Sequence, residues 1–178
     1  MFRVVPAPEP GRIPPAAWRQ MNAGDDAMAQ KVRWILEQEG PTGKILVFAH
    51  NTHVQDAPLE GGVWSSFERR PEPMGMRLLA TLGENLRIIG TVGATSAAGL
   101  PSMNLDADSI DGVLGRVALP LFLIDWRQGR RDPLVSTWLR ERRRLRSGST
   151  FEIVSPGQAF DGVVFMDRLT PARVNELQ

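Results

Sequence analysis

The sequence lacks cysteine and long apolar runs. None of its 178 residues is cysteine, which excludes disulfide frameworks, zinc sites built on thiolates, and cysteine nucleophiles. No apolar run approaches the ~20 residues that a membrane-spanning helix needs, and the N-terminus has no apolar core of a signal peptide. We therefore expect a soluble, cytoplasmic protein without a membrane partner.

An excess of charge of either sign is also missing. The 21 Lys and Arg residues nearly balance the 20 Asp and Glu residues, for a formal net charge of +1. Such a balance gives no reason to expect nucleic acid as a partner. Hydrophobic residues make up 42% of the chain, which suits one globular domain. Five prolines among the first fifteen residues predict an extended arm over residues 1–22, followed by a single domain over residues 23–178.

Apolar periodicity predicts helices that alternate with strands. Strands are expected at 44–49, 86–93, 119–126, 150–154 and 160–167. Helices are expected from Asp25 or Asp26 to Gly40, and at 74–83, 109–118 and 132–145. The first of these strands is apolar enough to be covered on both faces. We predict an α/β fold of three layers, with a mixed or mostly parallel sheet flanked by helices.

Histidine is scarce, and its placement is unusual. The only two histidines, His50 and His53, follow a predicted strand in "KILVFAHNTHVQDA", where ligands bind in parallel sheets. Three interpretations fit. The rings are catalytic or substrate-binding groups, or each ring is satisfied structurally by the backbone, or they are metal ligands. A metal site would need further carboxylate ligands, and the candidates are Asp56, Glu60, Glu68 or Asp125. We favour the first interpretation and expect no metal.

The loop after the histidines supplies further candidates. Trp64 and Phe67 either form an apolar wall for a ligand or fold back on the core, and the sequence favours neither. Glu68 becomes a site carboxylate if this loop folds over His50. We count Asp56, Trp64 and Glu68, together with Asn51, as candidate substrate-binding residues.

Other motifs carry weaker signals. Five arginines between Arg140 and Arg146 indicate a solvated helix end rather than an anion clamp. "GTVGATSAAG" matches neither a dinucleotide fingerprint nor a P-loop, and we expect no cofactor. Thr95 and Ser96 lie in no G-x-S-x-G nucleophile elbow.

Four segments together resemble the erythromycin esterase-like family. "GKILVFAHNTHV" resembles the histidine motif of that family, and "DDAMAQKVRWILEQEG" resembles the helix before it. "MGMRLLATLGENLRIIG" and "FDGVVFMDRLTPA" are similar to the segments that follow. The four segments stand in the family's order and extend over residues 23–174.

The resemblance implies a fold and a chemistry. Characterised antibiotic-resistance members open the macrolide lactone ring with water, and a histidine acts as the general base. Carried onto this chain, His50 would face the reacting centre, and His53 would orient substrate or water. Asn51 would hold the turn or donate a hydrogen bond. The implied partner is a small-molecule ester or lactone.

The chain also departs from the family pattern. The family carries a Glu and a His at an upstream strand end, and this sequence does not include that motif. Gly24 replaces an arginine that precedes the acidic residue, so the resemblance assigns no role to Asp25. We therefore expect the C-terminal part of the fold, with a hydrolytic site that is incomplete and inactive alone. A sheet without its first strands predicts self-association, or a partner, at an exposed edge.

Two alternatives remain from the sequence. The first is a non-catalytic ligand-binding or interaction domain that keeps the fold. The second is a metal-dependent hydrolase that uses both histidines with nearby carboxylates.

Overall fold

A computed structural model describes residues 13, 15–96, 106–148 and 150–169. Its helices are α1 Pro15–Glu39, α2 Asn51–Val54, α3 Met74–Leu82, α4 Ile110–Gly115, α5 Trp126–Gly129, α6 Pro133–Arg140 and α7 Pro156–Ala159. Its strands are β1 Ile89–Ser96, β2 Leu121–Asp125, β3 Arg143–Ser147, β4 Thr150–Val154 and β5 Gly162–Leu169. Short 3-10 helices cover Gly62–Ser66 and Gly83–Asn85.

The main sheet has the strand order β1-β5-β2. The central strand β5 runs parallel to β1, with Ile89 opposite Gly162, and antiparallel to β2, with Asp125 opposite Gly162. Strands β3 and β4 form a separate antiparallel hairpin, and Gly148 takes a positive φ of 59° between them. Helices and a mixed sheet confirm the predicted α/β class.

One face of the main sheet carries the core. Val92, Val163 and Phe165 point to this face and are 2% exposed or less. The Phe122 ring stacks on Phe165 with 4.8 Å between centroids. Trp126, at the end of β2, is also buried in this core. The apolar side chains that alternate along the three strands therefore pack against the helices on one side of the sheet.

The opposite face of the same sheet is open. Ile89, Leu121 and Leu123 occupy the alternate positions and are 42%, 63% and 62% exposed. The register places them on one face of the sheet. We call these three side chains the open sheet face.

The predicted strand at 44–49 is wrong. These residues form no ladder with any described residue. Leu46 and Phe48 are 94% and 90% exposed, although Ile45 packs against the α1–α3 core. An apolar run becomes a buried strand only when neighbouring strands and a covering layer meet it.

The predicted start of the first helix is also wrong. Helix α1 begins at Pro15, so residues 15–22 are helical rather than extended, and neither Asp25 nor Asp26 is a cap. Proline suits the first turn of a helix because its missing N–H has no partner there. The rest of the predicted arm, at 1–12 and 14, lies outside the described residues.

Only Arg140 of the arginine run lies at a helix end, and most of the run lies on a strand. Helix α6 ends at Arg140, and residues 143–147 form β3. The run pairs within the molecule, since Arg142 contacts Glu60 and Arg144 contacts Asp106. The predicted helix over 132–145 is therefore too long, because pairing with β4 overrides the helical preference of these residues.

Two predicted helices are confirmed in position. Ser109 caps α4, and its hydroxyl accepts a hydrogen bond from Gly112 N at 3.0 Å. Helix α3 buries Met74 and Leu78 and ends at Gly83, which has a positive φ of 52°. Within the described ranges, no helix is both long and apolar enough to cross a bilayer.

Candidate functional site

His50 caps the N-terminus of the short helix α2. It has extended backbone angles (φ −63°, ψ 150°) and acts as the N-cap of α2. Its Nδ1 lies 2.9 Å from the Thr52 hydroxyl and 3.3 Å from Thr52 N. The side chain is exposed, and its Nε2 has no hydrogen-bond partner among the described residues. Because Nδ1 accepts from Thr52 N–H, the neutral imidazole carries its proton on Nε2, which can donate it.

His53 is held by a buried carboxylate. Its Nδ1 lies 3.0 Å from Asp25 Oδ1 on α1, with side-chain exposures of 41% and 8% respectively. The same Asp25 oxygen accepts a hydrogen bond from Met74 N at 2.8 Å. Donation from Nδ1–H to the carboxylate fixes the tautomer that leaves Nε2 free to accept a proton. Asp25 thus ties α1 to α3 and orients His53.

Asn51 attaches α2 to the outer edge of β1. Its Nδ2 donates to Thr91 O at 2.7 Å, and its Oδ1 accepts from Thr91 N at 2.9 Å. The Thr91 hydroxyl is 3.2 Å from the same oxygen. The side-chain amide therefore bonds to the edge strand as the backbone of another strand would. Both histidines are placed next to β1 by this contact.

Helix α3 also fixes α2 by a close backbone approach. A Cβ at Gly75 would lie 1.8 Å from the carbonyl oxygen of Val54. Only glycine permits this contact. Helix α2 is thus held by α1 through Asp25, by α3 through Gly75, and by β1 through Asn51.

Glu152 is a buried carboxyl on β4. It is 1% exposed, and neither carboxylate oxygen has a hydrogen-bond partner of good geometry among the described residues. Burial raises the pKa of Glu152 above its ordinary value. The Ser147 hydroxyl, the Trp64 indole N–H and the charge of His50 partly offset this rise. The structure thus brings Trp64, one of the predicted residues, to the same carboxyl.

The remaining candidates line cavities elsewhere. Asp56 lines a cavity of about 500 Å³ together with Arg87, Arg127 and Asp161. Burial, and then the nearby Asp161 charge, raise the pKa of Asp56. Glu68 is exposed and borders a cavity of about 190 Å³ with Trp18 and Arg19, among others. Neither histidine lines either cavity, so the structure does not bring Asp56 or Glu68 together with the histidine pair there.

Sequence reasoning missed Asp25 and Glu152. Asp25 gives one signal, since it falls at helical spacing between the buried residues Asn22 and Ala29. A carboxylate on a buried helix stripe needs a partner. Glu152 gives less signal, because the apolar residues on either side of it in β4 predict that it faces outward.

The two imidazoles are arranged for proton transfer. In the part of the chain that the structure describes, no group of three His, Asp or Glu side chains is placed to hold a metal ion. Two imidazoles on one helical turn each have Nδ1 engaged and Nε2 open. An imidazole with an open, unprotonated Nε2, as in His53, accepts a proton from water or hydroxyl, and one with an open Nε2–H, as in His50, donates a hydrogen bond.

The chain resembles proteins of known sequence and structure. Erythromycin esterase type II of Escherichia coli is 37% identical over 71 residues, which are 39% of this chain and 16% of that relative. A succinoglycan biosynthesis protein matches with a TM-score of 0.72 and 22% identity. A Bacillus cereus protein matches with a TM-score of 0.69 and 23% identity.

These two structural matches include most of this chain but less than half of each neighbour. They cover 87% and 85% of this chain, and 40% and 39% of the neighbours. A mutant of erythromycin esterase EreC in its open conformation matches with a TM-score of 0.57 and 20% identity, over 86% of this chain and 38% of that one. The chain therefore spans about two fifths of the length of these neighbours and shares their fold.

The family assignment rests on the sequence match. The Erythromycin esterase family matches residues 11–169, which is most of the chain and includes the histidine pair and the central strand β5. The resemblance predicted from four short segments is confirmed, and this chain belongs to the erythromycin esterase family.

Proposed function

We propose that this chain is a hydrolase domain in which imidazole assists the attack of water on an ester or lactone. The observation that carries the proposal is the pair of imidazoles on one turn of α2. Nδ1 of His50 contacts Thr52, and Nδ1 of His53 contacts Asp25, which leaves both Nε2 atoms open. The family membership supports ester hydrolysis as the reaction class, with a macrolide lactone as one candidate substrate.

The two histidines take different roles in this proposal. His53, whose Nδ1–H donates to Asp25, accepts the proton of the attacking water at Nε2 as the water oxygen bonds to the carbonyl carbon. His50, exposed at the N-terminus of α2, orients the substrate or the water through Nε2–H, since its Nδ1 accepts from Thr52 N–H. A general base of this kind contributes about 10²–10⁴-fold to the rate.

We further propose that the site is incomplete in this chain. The structural neighbours are more than twice as long as the region they share with it. The missing part of the fold would cover the open sheet face and pair with residues 44–49. The occupant we assign to this surface is therefore a polypeptide that carries the unmatched part of the family fold. It would complete the three-layer arrangement.

The activity test uses a panel of esters and macrolide lactones. We expect no hydrolysis by the chain alone. We expect hydrolysis by a chimera in which residues 11–169 replace the matching region of the Escherichia coli relative. His50→Ala should abolish the chimera's activity, whereas Leu134→Ser, at an exposed position on α6, should not. Hydrolysis by the unmodified chain would refute the incomplete site, and a chimera that folds but stays inactive would refute the proposed reaction.

The docking surface has its own test. The purified chain should bind an apolar fluorescent dye such as anilinonaphthalene sulfonate and form heterogeneous assemblies in sedimentation. The double substitution Leu121→Ser, Leu123→Ser should reduce both dye binding and assembly, and Leu134→Ser should reduce neither. A dye-free monomer would show that the surface is closed. A discrete dimer sensitive to the double substitution would assign the surface to a second copy instead of a complementing polypeptide.

A second candidate function rests on the cavity of about 500 Å³. It is lined by arginines and carboxylates, and it does not include the histidines. This separation favours a ligand-binding domain without catalysis. Saturable binding of a small anion, lost in Arg127→Ala but kept in His50→Ala, would support that function.

A further inference from the structure

The cavity of about 500 Å³ combines an apolar lining with charged groups. Ile88, Ala159 and Phe160 line it and are 6% exposed or less, so they form its floor. Sites for small molecules typically have this composition, in which a few charged groups fix the orientation of a ligand on an apolar surface. The charged side chains that line the cavity are more exposed, and they are Asp56, Glu84, Arg87, Arg127, Arg130 and Asp161.

Two of these arginines have no carboxylate partner. Arg87 donates from one nitrogen to the carbonyl oxygens of Glu84 and Leu86, each at 2.6 Å. Arg130 donates to Gly157 O at 2.5 Å. In the part of the chain that the structure describes, neither guanidinium contacts a carboxylate. Because each guanidinium is anchored through one nitrogen, its other N–H groups are available to an anion.

Two other charged groups of the cavity are already engaged. Arg127 binds Asp125 through two nitrogens, at 2.9 and 2.5 Å, so its charge is compensated. Asp161 accepts a hydrogen bond from Ile88 N at 2.9 Å, which fixes one of its oxygens at the beginning of β1. These two groups therefore shape the cavity more than they call for a ligand.

Asp56 is a carboxylate of the cavity without a cationic partner. Its backbone N–H donates to Ala159 O at 2.9 Å, which holds it beside α7. Its side chain makes no hydrogen bond or ion pair with any described residue. Burial, and then the charge of Asp161, raise the pKa of Asp56, as expected of a carboxylate that no cation compensates. The cavity thus presents unpaired groups of both signs that do not pair with each other.

We propose that the cavity binds a zwitterion with an aliphatic middle, of the class of the ω-amino acids. Arg87 and Arg130 bind its carboxylate, Asp56 binds its ammonium group, and the carbon chain between them lies on the apolar floor. The inference rests on the second candidate function, which also places a ligand in this cavity. It differs from that function in the ligand, because a small anion would leave Asp56 unpaired.

The experiment compares three probes of the same chain length. The ¹⁵N-labelled chain is titrated at pH 7 and constant ionic strength with 6-aminohexanoate, hexanoate or hexylamine. NMR follows the amide signals of Gly83 and Gly157, which line the cavity. We expect 6-aminohexanoate to bind at least about threefold more tightly than either of the other probes, because it alone engages charges of both signs.

Two variants assign the ends of the probe. Asp56→Asn should remove the preference for 6-aminohexanoate over hexanoate and bind hexanoate at least as tightly as the wild type, since a repelling carboxylate is gone. Arg130→Gln should weaken the binding of 6-aminohexanoate and hexanoate at least about twofold, and should not weaken that of hexylamine. Asp108→Asn and Arg131→Gln are matched controls at exposed positions outside the cavity, and they should change none of the affinities.

The outcomes separate this inference from both proposed functions. If hexanoate binds the wild type as tightly as 6-aminohexanoate does, the inference is overturned and the anion site of the second candidate function stands. If no probe shifts the cavity signals, or if Asp56→Asn keeps the preference, the inference is also overturned. Hydrolysis by the chimera does not bear on it, because neither histidine lines the cavity.

Discussion

Asn51 supports a prediction about how the site is held. Its side chain makes three contacts with Thr91, at 2.7, 2.9 and 3.2 Å, and it is 7% exposed. Asn51→Ala removes all three. A typical intramolecular hydrogen bond contributes about 0.5–1.5 kcal/mol to stability. Because Thr91 itself is exposed, water can satisfy part of its backbone in the variant. We therefore expect the free energy of unfolding to fall by about 1.5–3 kcal/mol.

Two matched variants separate the contacts. Thr91→Val removes only the hydroxyl and keeps both hydrogen bonds between the Thr91 backbone and Asn51. It should therefore lower the free energy of unfolding by about 0.5–1 kcal/mol. Asn51→Asp keeps an acceptor for Thr91 N but places a carboxylate oxygen against Thr91 O. This repulsion should make Asn51→Asp more destabilising at pH 7 than at pH 4, where the new carboxyl is more protonated.

The assay is urea unfolding of the three variants beside the wild type, followed by tryptophan fluorescence and circular dichroism. If Asn51→Ala lowers the free energy of unfolding by no more than Thr91→Val does, the Asn51 side chain does not hold α2 on β1. The geometry of the site must then depend on other contacts. If the loss of stability in Asn51→Asp is the same at both pH values, the assigned orientation of the amide is refuted.

Three further predictions concern the neighbouring residues. Asp25→Asn should lower the activity of the esterase chimera at least about tenfold, because His53 loses its orienting carboxylate, and steady-state kinetics measure this loss. Gly75→Ala should destabilise the chain by about 3 kcal/mol or more, because its Cβ would meet the carbonyl of Val54 at 1.8 Å, and a thermal melt would show it. Burial raises the pKa of Glu152 above its ordinary 4.5, so above that pH the folded chain keeps a proton that the unfolded chain releases. Stability should therefore fall as pH rises through the folded-state pKa, and Glu152→Gln should remove that fall in urea titrations at pH 4 to 8.

The strands could be predicted where the chain contains their partners. The apolar runs of β2 and β5 predict strands, and the two pair with each other in the structure. Residues 44–49 show the same pattern but form no ladder. An apolar run indicates that a segment needs covering, and it does not show whether the covering element is present. Helix propensity predicts a helix over the residues of β3, because the pairing of β3 with β4 is a tertiary feature that propensity does not contain.

The candidate site was predictable in part for a similar reason. The clustering of His50 and His53 is visible in the sequence, and so is their place after an apolar run. Asp25 reaches His53 across 28 positions, and this contact depends on the packing of α1 beside α2. Glu152 lies on the opposite face of β4 from the one that alternation predicts. Contacts that follow from the packing of distant elements carry no local signal.

The central place of β5 has a consequence for the order in which the chain folds. Both ladders of the main sheet use β5, so among the described residues the strands 89–96 and 121–125 have no strand partner until residues 162–169 have been synthesised. The β3–β4 hairpin closes across a short turn and can form before β5 is synthesised. A nascent chain would therefore carry a finished hairpin beside two unpaired apolar strands, and it would be most prone to aggregation just before β5 emerges.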